Sequence, residues 1–161
     1  RNPLGKIPTL ITDDDVVLYD SEAICEYLDT IAPPGSLFPP SGSARWIAFR
    51  DQSLADGMLD AGLLVRYENM IRPETCRYQP WVEGQMNKIV DCLQTIEANA
   101  AELHARLDIG TIAIGCALGY LDFRYPQLDW RRGCPVAASW LDVFGQRRSM
   151  LQTEPPAGQR A

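Results

Sequence analysis

Two short stretches near the start of the chain carry residue types that could bind a small ligand. The first is GKIPTL at residues 5–10, in which Pro8 lies at the start of an apolar, strand-like run. Because proline lacks a backbone N–H, it is confined to strand edges, strand starts or special turns. Pro8 alone favours a simple strand start. The alternative is a cis proline that turns the backbone N–H and C=O of Ile7 outward to pair with an extended ligand.

The second stretch is the Asp20–Ser21 pair, which opens a helical pattern. Both residue types are good N-caps, and the pair alone favours that role. The same position also offers free N–H groups and the positive end of a helix dipole, which can hold a carboxylate. Asp20 could then hold an ammonium group, so the pair would bind the head of an amino acid.

The elements that must position these residues follow from the spacing of the apolar side chains. Two strands joined by the acidic turn at 12–15 predict an antiparallel hairpin, and a Pro-, Gly- and Ser-rich segment at 32–43 predicts a linker. The predicted elements are strands at 7–11 and 16–19, a helix from Ser21 to the linker, helices at 43–70 and 80–106, a helix that follows Leu107 and ends before Pro126, and a helix that starts at Pro135.

Several expectations concern particular side chains of these helices. Ser43 is expected to cap the first long helix, and Asp108 the helix after Leu107. Thr111 is not expected to complete a capping box there, because it is not an acid. The side chains predicted to be buried are Ile24, Tyr27, Leu28 and Ile31; Met86, Ile89, Leu93, Ile96, Ala100, Leu103 and Leu107; Ile112, Ala113, Cys116, Tyr120 and Phe123; Val136, Trp140, Leu141 and Phe144; and the thiols of Cys25 and Cys92.

The composition argues against several classes of function. With 15 Lys and Arg against 21 Asp and Glu, the net charge is -6, which repels the phosphates of nucleic acids. Five scattered cysteines without a CxxC pair and a single histidine argue against a disulfide framework and a metal site. There is no apolar run of membrane-spanning length and no signal-peptide pattern, so we expect a cytoplasmic protein without a membrane partner.

Four stretches, taken in order, resemble the bacterial branch of the glutathione transferase superfamily. They are NPLGKIPTL at 2–10, LYDSEAICEYLD at 18–29, LADGMLDAGLLVRYE at 54–68 and ALGYLDFRYPQLDW at 117–130. The resemblance extends from Asn2 to about Thr153. It implies a partial thioredoxin-like α/β domain, made of the hairpin plus a helix, followed by an all-α helical bundle domain.

The resemblance assigns a ligand and residues to both opening stretches. In that family the proline is cis, and the residue before it pairs through its backbone with the cysteinyl part of glutathione. The acidic residue and the serine hold the γ-glutamyl amine and carboxylate. Carried over, these roles fall to Ile7, Pro8, Asp20 and Ser21, and Lys6 is expected to reach the glycyl carboxylate.

The expected domain limits are 1–32 for the C-terminal part of the glutathione-binding domain, 33–42 for the linker, 43–153 for the helical domain and 154–161 for a tail. A hairpin with one helix buries too little surface to be stable alone, so we expect more sheet from residues before Arg1 or from a partner. In the family the catalytic Ser, Cys or Tyr lies in that upstream part. No residue of this sequence is therefore assigned as catalytic.

The function implied is conjugation of the glutathione thiolate to a small hydrophobic electrophile, without a metal, in a cytoplasmic homodimer that serves detoxification. The electrophile would bind in an apolar cleft. Its candidate lining residues are Met58, Tyr67, Tyr120 and Phe123, although aromatic and apolar side chains at helical spacing are more often bundle core or dimer contacts. The alternative function is a glutathione transferase-like interaction or scaffold module without turnover.

Overall fold

The computed structural model describes residues 2–33 and 37–155. In these ranges, a two-stranded hairpin and one helix precede a set of helices, as the sequence predicts. The elements are β1 (Thr9–Ile11), β2 (Val17–Tyr19), α1 (Ser21–Ile31), α2 (Gly42–Met70), α3 (Gln79–Leu103), α4 (Ile109–Arg124), α5 (Trp130–Gly133), α6 (Pro135–Phe144) and α7 (Arg148–Thr153), with a 3-10 turn at Glu74–Cys76.

The hairpin is antiparallel, with Thr9 opposite Tyr19 and Ile11 opposite Val17. The turn between its strands is closed by Thr12, whose hydroxyl accepts a hydrogen bond from the Val16 N–H at 3.0 Å. The predicted hairpin is therefore confirmed, although both strands are shorter than expected.

The structure corrects two predictions about where helices begin and end. The N-cap of α2 is Ser41, and Ser43 lies inside the first turn, so the predicted cap is wrong. Ser41 follows two prolines and is extended, with φ -165° and ψ 177°, so the helix begins directly after it. The third helix of the chain, α3, ends at Leu103, three residues before the predicted end. The short helices α5 and α7 were not predicted.

The bundle core is formed where α2 packs against α3 and α4, and α3 against α6. The predicted stripe of α3 is confirmed from Ile89 to Leu103, whereas Met86 is half-buried and Leu107 is exposed beyond the helix end. In α6, three of the four predicted side chains are buried and Val136 is exposed. The α3 and α6 patterns thus locate most of the core correctly.

The prediction for α4 selected the wrong face. The face that packs into the bundle contains Thr111, Ile114, Ala117, Leu118 and Leu121. In contrast, Cys116 is exposed, and the other four predicted side chains are half-buried. Because α4 is apolar almost all round, its sequence pattern does not single out one face; its packing against α2 and α6 does.

Predictions for α1 and for the cysteines also need correction. Ile24 is buried, but Tyr27 is half-buried, and Leu28 and Ile31 are exposed. Cys25 and Cys92 are half-buried rather than core residues, and the buried cysteine is Cys134, whose thiol contacts the Leu93 carbonyl at 3.7 Å. Within the described residues the sheet beside α1 has only two short strands, β1 and β2, which are too few to cover the apolar side of this helix.

A buried capping box starts α4. The Asp108 carboxylate accepts a hydrogen bond from the Thr111 N–H at 3.0 Å, which confirms Asp108 as the N-cap. The Thr111 hydroxyl accepts from the Asp108 N–H at 3.0 Å and donates to the Asp108 carbonyl at 2.9 Å. The prediction that Thr111 cannot complete the box is wrong, because a hydroxyl oxygen accepts from the N-cap N–H as a carboxylate would.

Replacing Thr111 by valine should destabilise the protein by about 1–3 kcal/mol, because the buried Asp108 N–H would lose its acceptor. The measurement is the free energy of unfolding from urea denaturation. Thr95→Val is the matched control, since Thr95 is exposed on α3 and its hydroxyl donates only to the Asp91 carbonyl. The control should change stability by less than about 0.5 kcal/mol. Equal effects of the two substitutions would contradict the capping role.

A second buried hydrogen bond joins the end of α4 to α2. The Tyr125 hydroxyl donates to the Gly62 carbonyl at 2.5 Å. Burial is the main cause that raises the pKa of Tyr125 to about 12. The nearby Tyr120 phenol adds to this shift, and Arg66 opposes it. The phenol therefore stays protonated in the folded protein well above the pH at which it ionises in the unfolded chain.

Tyr125→Phe should lower the free energy of unfolding by about 0.5–1.5 kcal/mol near pH 8, the usual value of one hydrogen bond. Because the folded-state pKa is raised, this advantage of the wild type should be lost as the pH rises from 10.0 towards 12. Urea denaturation of both proteins across that range measures it. The exposed Tyr78→Phe variant is the control, and a pH-independent difference for Tyr125→Phe would contradict the assigned pKa.

Candidate functional site

The Ile7–Pro8 peptide bond is cis, as predicted. Ile7 is 95% exposed, and no hydrogen bond to its backbone N–H or C=O is formed within residues 2–33 and 37–155. The preceding loop is held by Asn2, whose side-chain amide donates to the Lys6 carbonyl at 2.8 Å and to the Thr9 hydroxyl at 3.1 Å. An ordered loop thus presents an unpaired backbone segment.

Asp20 is the N-cap of α1, with its carboxylate accepting from the Glu22 N–H at 3.2 Å. The Ser21 hydroxyl donates a long hydrogen bond of 3.5 Å to the same carboxylate oxygen and does not cap the helix. The backbone of Asp20 has φ 70° and ψ 137°, a region that favours glycine. The cap role predicted for the pair therefore belongs to Asp20, and the Ser21 hydroxyl lies at the exposed helix end with only this long hydrogen bond.

The hairpin register brings the two stretches together. Thr9 is paired with Tyr19. Because Thr9 begins β1 and Tyr19 ends β2, Pro8 and Asp20 both flank this end of the hairpin. Ile7 and Lys6 precede Pro8, Ser21 follows Asp20 as the first residue of α1, and all five residues are exposed. The structure thus places the five predicted glutathione-binding residues at one end of the hairpin, next to the start of α1.

Negative charge accumulates beside this helix start. The pKa of Asp56, on α2, is raised first by burial and then by the carboxylates of Asp20, Glu22 and Asp60. Asp56 therefore lies near enough to the start of α1 for the carboxylates there to affect it. Sequence reasoning did not find it, because its distance from α1 depends on how the chain folds between the two helices. The combined charge suits the ammonium group of an amino acid better than an additional anion.

The four predicted electrophile-binding residues do not share one pocket. Met58 is 1% exposed, because α2 packs against α4 there, and it belongs to the core. Tyr67 lines a groove of about 720 Å³ at the end of α2, together with Leu64 and Ile71. Tyr120 and Phe123 line a different cavity of about 840 Å³. Only these last two residues are brought together.

We call the latter space the α4 cavity. It is bounded by one face of α4, by α6 and by the segment from α7 to Pro155, with Leu59 of α2 contributing at one side. Arg131 of α5 fixes its walls by bonding Asp122 of α4 at 2.6 Å and Asp142 of α6 at 2.9 Å. The cavity therefore has an ordered frame.

Two findings apply to the described residues as a whole. No helix in them has the length and apolar character needed to cross a membrane. No group of three or more His, Cys, Asp and Glu side chains in these residues is arranged to hold a metal ion.

Comparisons with known proteins identify the family. The family model for "Glutathione S-transferase, N-terminal domain" matches residues 1–31, and that for "Glutathione S-transferase, C-terminal domain" matches residues 79–142. The Escherichia coli (strain K12) relative "Uncharacterized GST-like protein YibF" is 32% identical over 158 residues, which are 96% of this chain and 78% of the relative. The chain belongs to the glutathione S-transferase family.

Solved glutathione S-transferase structures share this fold. A Pseudomonas fluorescens Pf-5 family member with bound glutathione is 48% identical, with a TM-score of 0.93 over 96% of this chain and 76% of its own. A second structure of a P. fluorescens Pf-5 member contains S-(propanoic acid)-glutathione, at 48% identity and a TM-score of 0.91 over 96% of this chain and 80% of its own. A Methylobacillus flagellatus protein with bound glutathione is 36% identical, with a TM-score of 0.90 over 96% and 78% of the two chains.

Proposed function

We propose that the protein is a glutathione transferase that conjugates the glutathione thiolate to a small apolar electrophile. The observation that carries this proposal is the pairing of Thr9 with Tyr19, because the cis Ile7–Pro8 segment and the Asp20–Ser21 helix start then flank the same end of the hairpin. Family membership supports it, since relatives with 48% and 36% identity were solved with glutathione bound.

Each part of glutathione has a matching group at this end of the hairpin. The backbone N–H and C=O of Ile7 would pair with the cysteinyl residue, as a strand edge pairs with an extended peptide. The γ-glutamyl carboxylate would accept hydrogen bonds from the Ser21 hydroxyl and the first N–H groups of α1, where the helix dipole favours negative charge. Asp20 would hold the γ-glutamyl ammonium, and Lys6 the glycyl carboxylate.

The reaction proposed is attack of the glutathione thiolate on an electrophilic carbon. The thiol loses its proton, the sulfur lone pair forms the S–C bond, and the leaving group departs with its bonding pair. Surrounding protein removes water from the Cys25 and Cys116 sulfurs and so raises the pKa of both thiols, although the Cys116 side chain is partly accessible; neither is a thiolate nucleophile at neutral pH. The proposal therefore assigns the reactive sulfur to glutathione, and it assigns the residue that stabilises its thiolate to none of the described side chains.

The proposal includes a cytoplasmic homodimer with a role in detoxification. Apolar side chains at the end of α2 support the dimer, since Leu64, Tyr67 and Ile71 are exposed around the groove there. Exposed apolar groups of this kind are suited to burial against a second protomer.

Isothermal titration with glutathione, followed by an assay with 1-chloro-2,4-dinitrobenzene, tests the proposal as a whole. Binding with turnover is the expected result. Binding without turnover of this or other electrophiles would favour the interaction-module alternative, and failure to bind glutathione would refute the proposed function.

Asp20→Asn should weaken glutathione binding at least about tenfold, because the ammonium would lose its charged partner. Folding stability should hold, since asparagine caps helices as well as aspartate and tolerates a positive φ. Calorimetric affinity and the melting temperature are measured together. Asp13→Asn makes the same charge change in the exposed hairpin turn and should leave affinity unaltered. Equal affinities for both variants would remove Asp20 from the site.

Ser21→Ala should weaken glutathione binding by about 1.5–3 kcal/mol, the range for a hydrogen bond to a charged group, or about 10- to 150-fold. Stability should change little, because Asp20 and not Ser21 caps α1. Ser53→Ala, an exposed serine of α2, is the control. A loss of stability without a loss of affinity would show that Ser21 serves the helix alone.

A further inference from the structure

Four hydrogen bonds of the loop before β1 converge on one residue, Asn2. Its side-chain NH2 group donates to the Lys6 carbonyl at 2.8 Å and to the Thr9 hydroxyl at 3.1 Å. Its side-chain oxygen accepts from the Leu4 N–H at 2.9 Å, and its backbone carbonyl accepts from the Gly5 N–H at 3.2 Å. The Asn2 carboxamide therefore uses both its donor and its acceptor groups inside the loop.

Packing does little to hold the same loop within the described part of the chain. Residues 3–9 are all exposed, with Leu4 at 59% and Ile7 at 95%, whereas Asn2 is half-buried. The chain can turn back towards Asn2 because Gly5 has a φ of 63°, which glycine adopts without strain. The shape of this loop thus depends on its hydrogen bonds to Asn2 rather than on buried apolar side chains.

The bond from Asn2 to the Lys6 carbonyl also sets the direction of the Ile7 N–H. Both groups belong to one trans peptide unit, which is planar, so they point in opposite directions. Because the Lys6 carbonyl points at the Asn2 amide, the Ile7 N–H points away from it. The second amide bond holds Thr9, so Asn2 binds the chain on both sides of the unpaired Ile7 backbone.

Order of this kind matters for a backbone edge that pairs with an extended peptide. If the loop were not fixed, it would have to be ordered during binding, and the entropy lost would lower the affinity. The polar groups of the Asn2 side chain are already bonded within the loop. Asn2 would therefore act on a bound peptide through Ile7, without touching that peptide itself.

We propose that Asn2 is a positioning residue for the cysteinyl part of glutathione. Its side-chain amide holds the Lys6–Ile7 peptide so that the Ile7 backbone is directed towards the ligand before the ligand arrives. The inference rests on the proposed function and adds a residue to it. It separates the site into two parts, a loop that Asn2 orients and a helix end that Asp20 and Ser21 form independently.

The test uses two ligands, glutathione and γ-glutamylethylamide, which keeps the γ-glutamyl group but has no cysteinyl or glycyl residue. Affinities are measured with the whole chain, by isothermal titration for glutathione and by NMR titration for the weaker ligand. Asn2→Ala should weaken glutathione binding about two- to twelvefold, the net effect of one hydrogen bond, and leave γ-glutamylethylamide binding unchanged. Ser21→Ala should weaken the binding of both ligands.

Asn99→Ala is the matched control, because Asn99 is also half-buried and its amide also donates to a backbone carbonyl, that of Thr95. It should leave both affinities unaltered. Thr9→Val guards against local unfolding of the loop in Asn2→Ala, since valine suits a strand and only one acceptor of the Asn2 amide is lost. It should weaken glutathione binding less than Asn2→Ala does. The melting temperature of each variant reports its folding.

The outcomes separate this inference from the proposed function. A loss confined to glutathione in Asn2→Ala supports the positioning role, because a purely structural residue would not change the preference between the two ligands. Unchanged glutathione affinity, or an equal loss for both ligands, would overturn the role of Asn2 and leave the proposed function standing. A wild type that binds no glutathione would overturn both.

Discussion

The first turn of α4 is the contact on which the arrangement of the other elements depends. Gly110 lets α4 approach α2 until its backbone nearly touches the Ala48 carbonyl. In the same turn, the Ile109 N–H donates to the Leu37 carbonyl at 3.0 Å, which attaches the segment that follows α1. Because Asp108 and Thr111 satisfy each other's backbone groups, this helix end can lie inside the protein.

An ion-pair network extends this junction. The Asp51 side chain of α2 is 6% exposed and bonds both Arg50 and Arg106, and Arg106 also lies 3.3 Å from Asp108. A buried carboxylate that lost these partners would be costly, so the pairs hold the α3–α4 loop against α2. The middle of α2 and the start of α4 are thereby fixed relative to one another. Asp56, just over one turn after Asp51 on α2, thus owes its position to contacts that the proposed ligand would not touch.

The sequence was most informative where local chemistry decides the structure. The Asp20 and Asp108 caps and the α3 stripe follow from residue type and spacing. The family resemblance follows from four short stretches, and the cis proline was expected only from that resemblance. The face of α4 could not be predicted, because an apolar helix offers several faces and the partner helices select one. Asp56 could not be found either, since its surroundings come from segments far apart in the chain.

Asp20 occupies a backbone conformation that glycine adopts at little cost and other residues adopt at a cost of order 1–3 kcal/mol. Selection for thermal stability alone would therefore tend to replace the carboxylate on which the proposed glutathione site depends. Directed evolution or consensus design of this protein should hold position 20 fixed, because a stability gain there would be paired with a loss of ligand affinity.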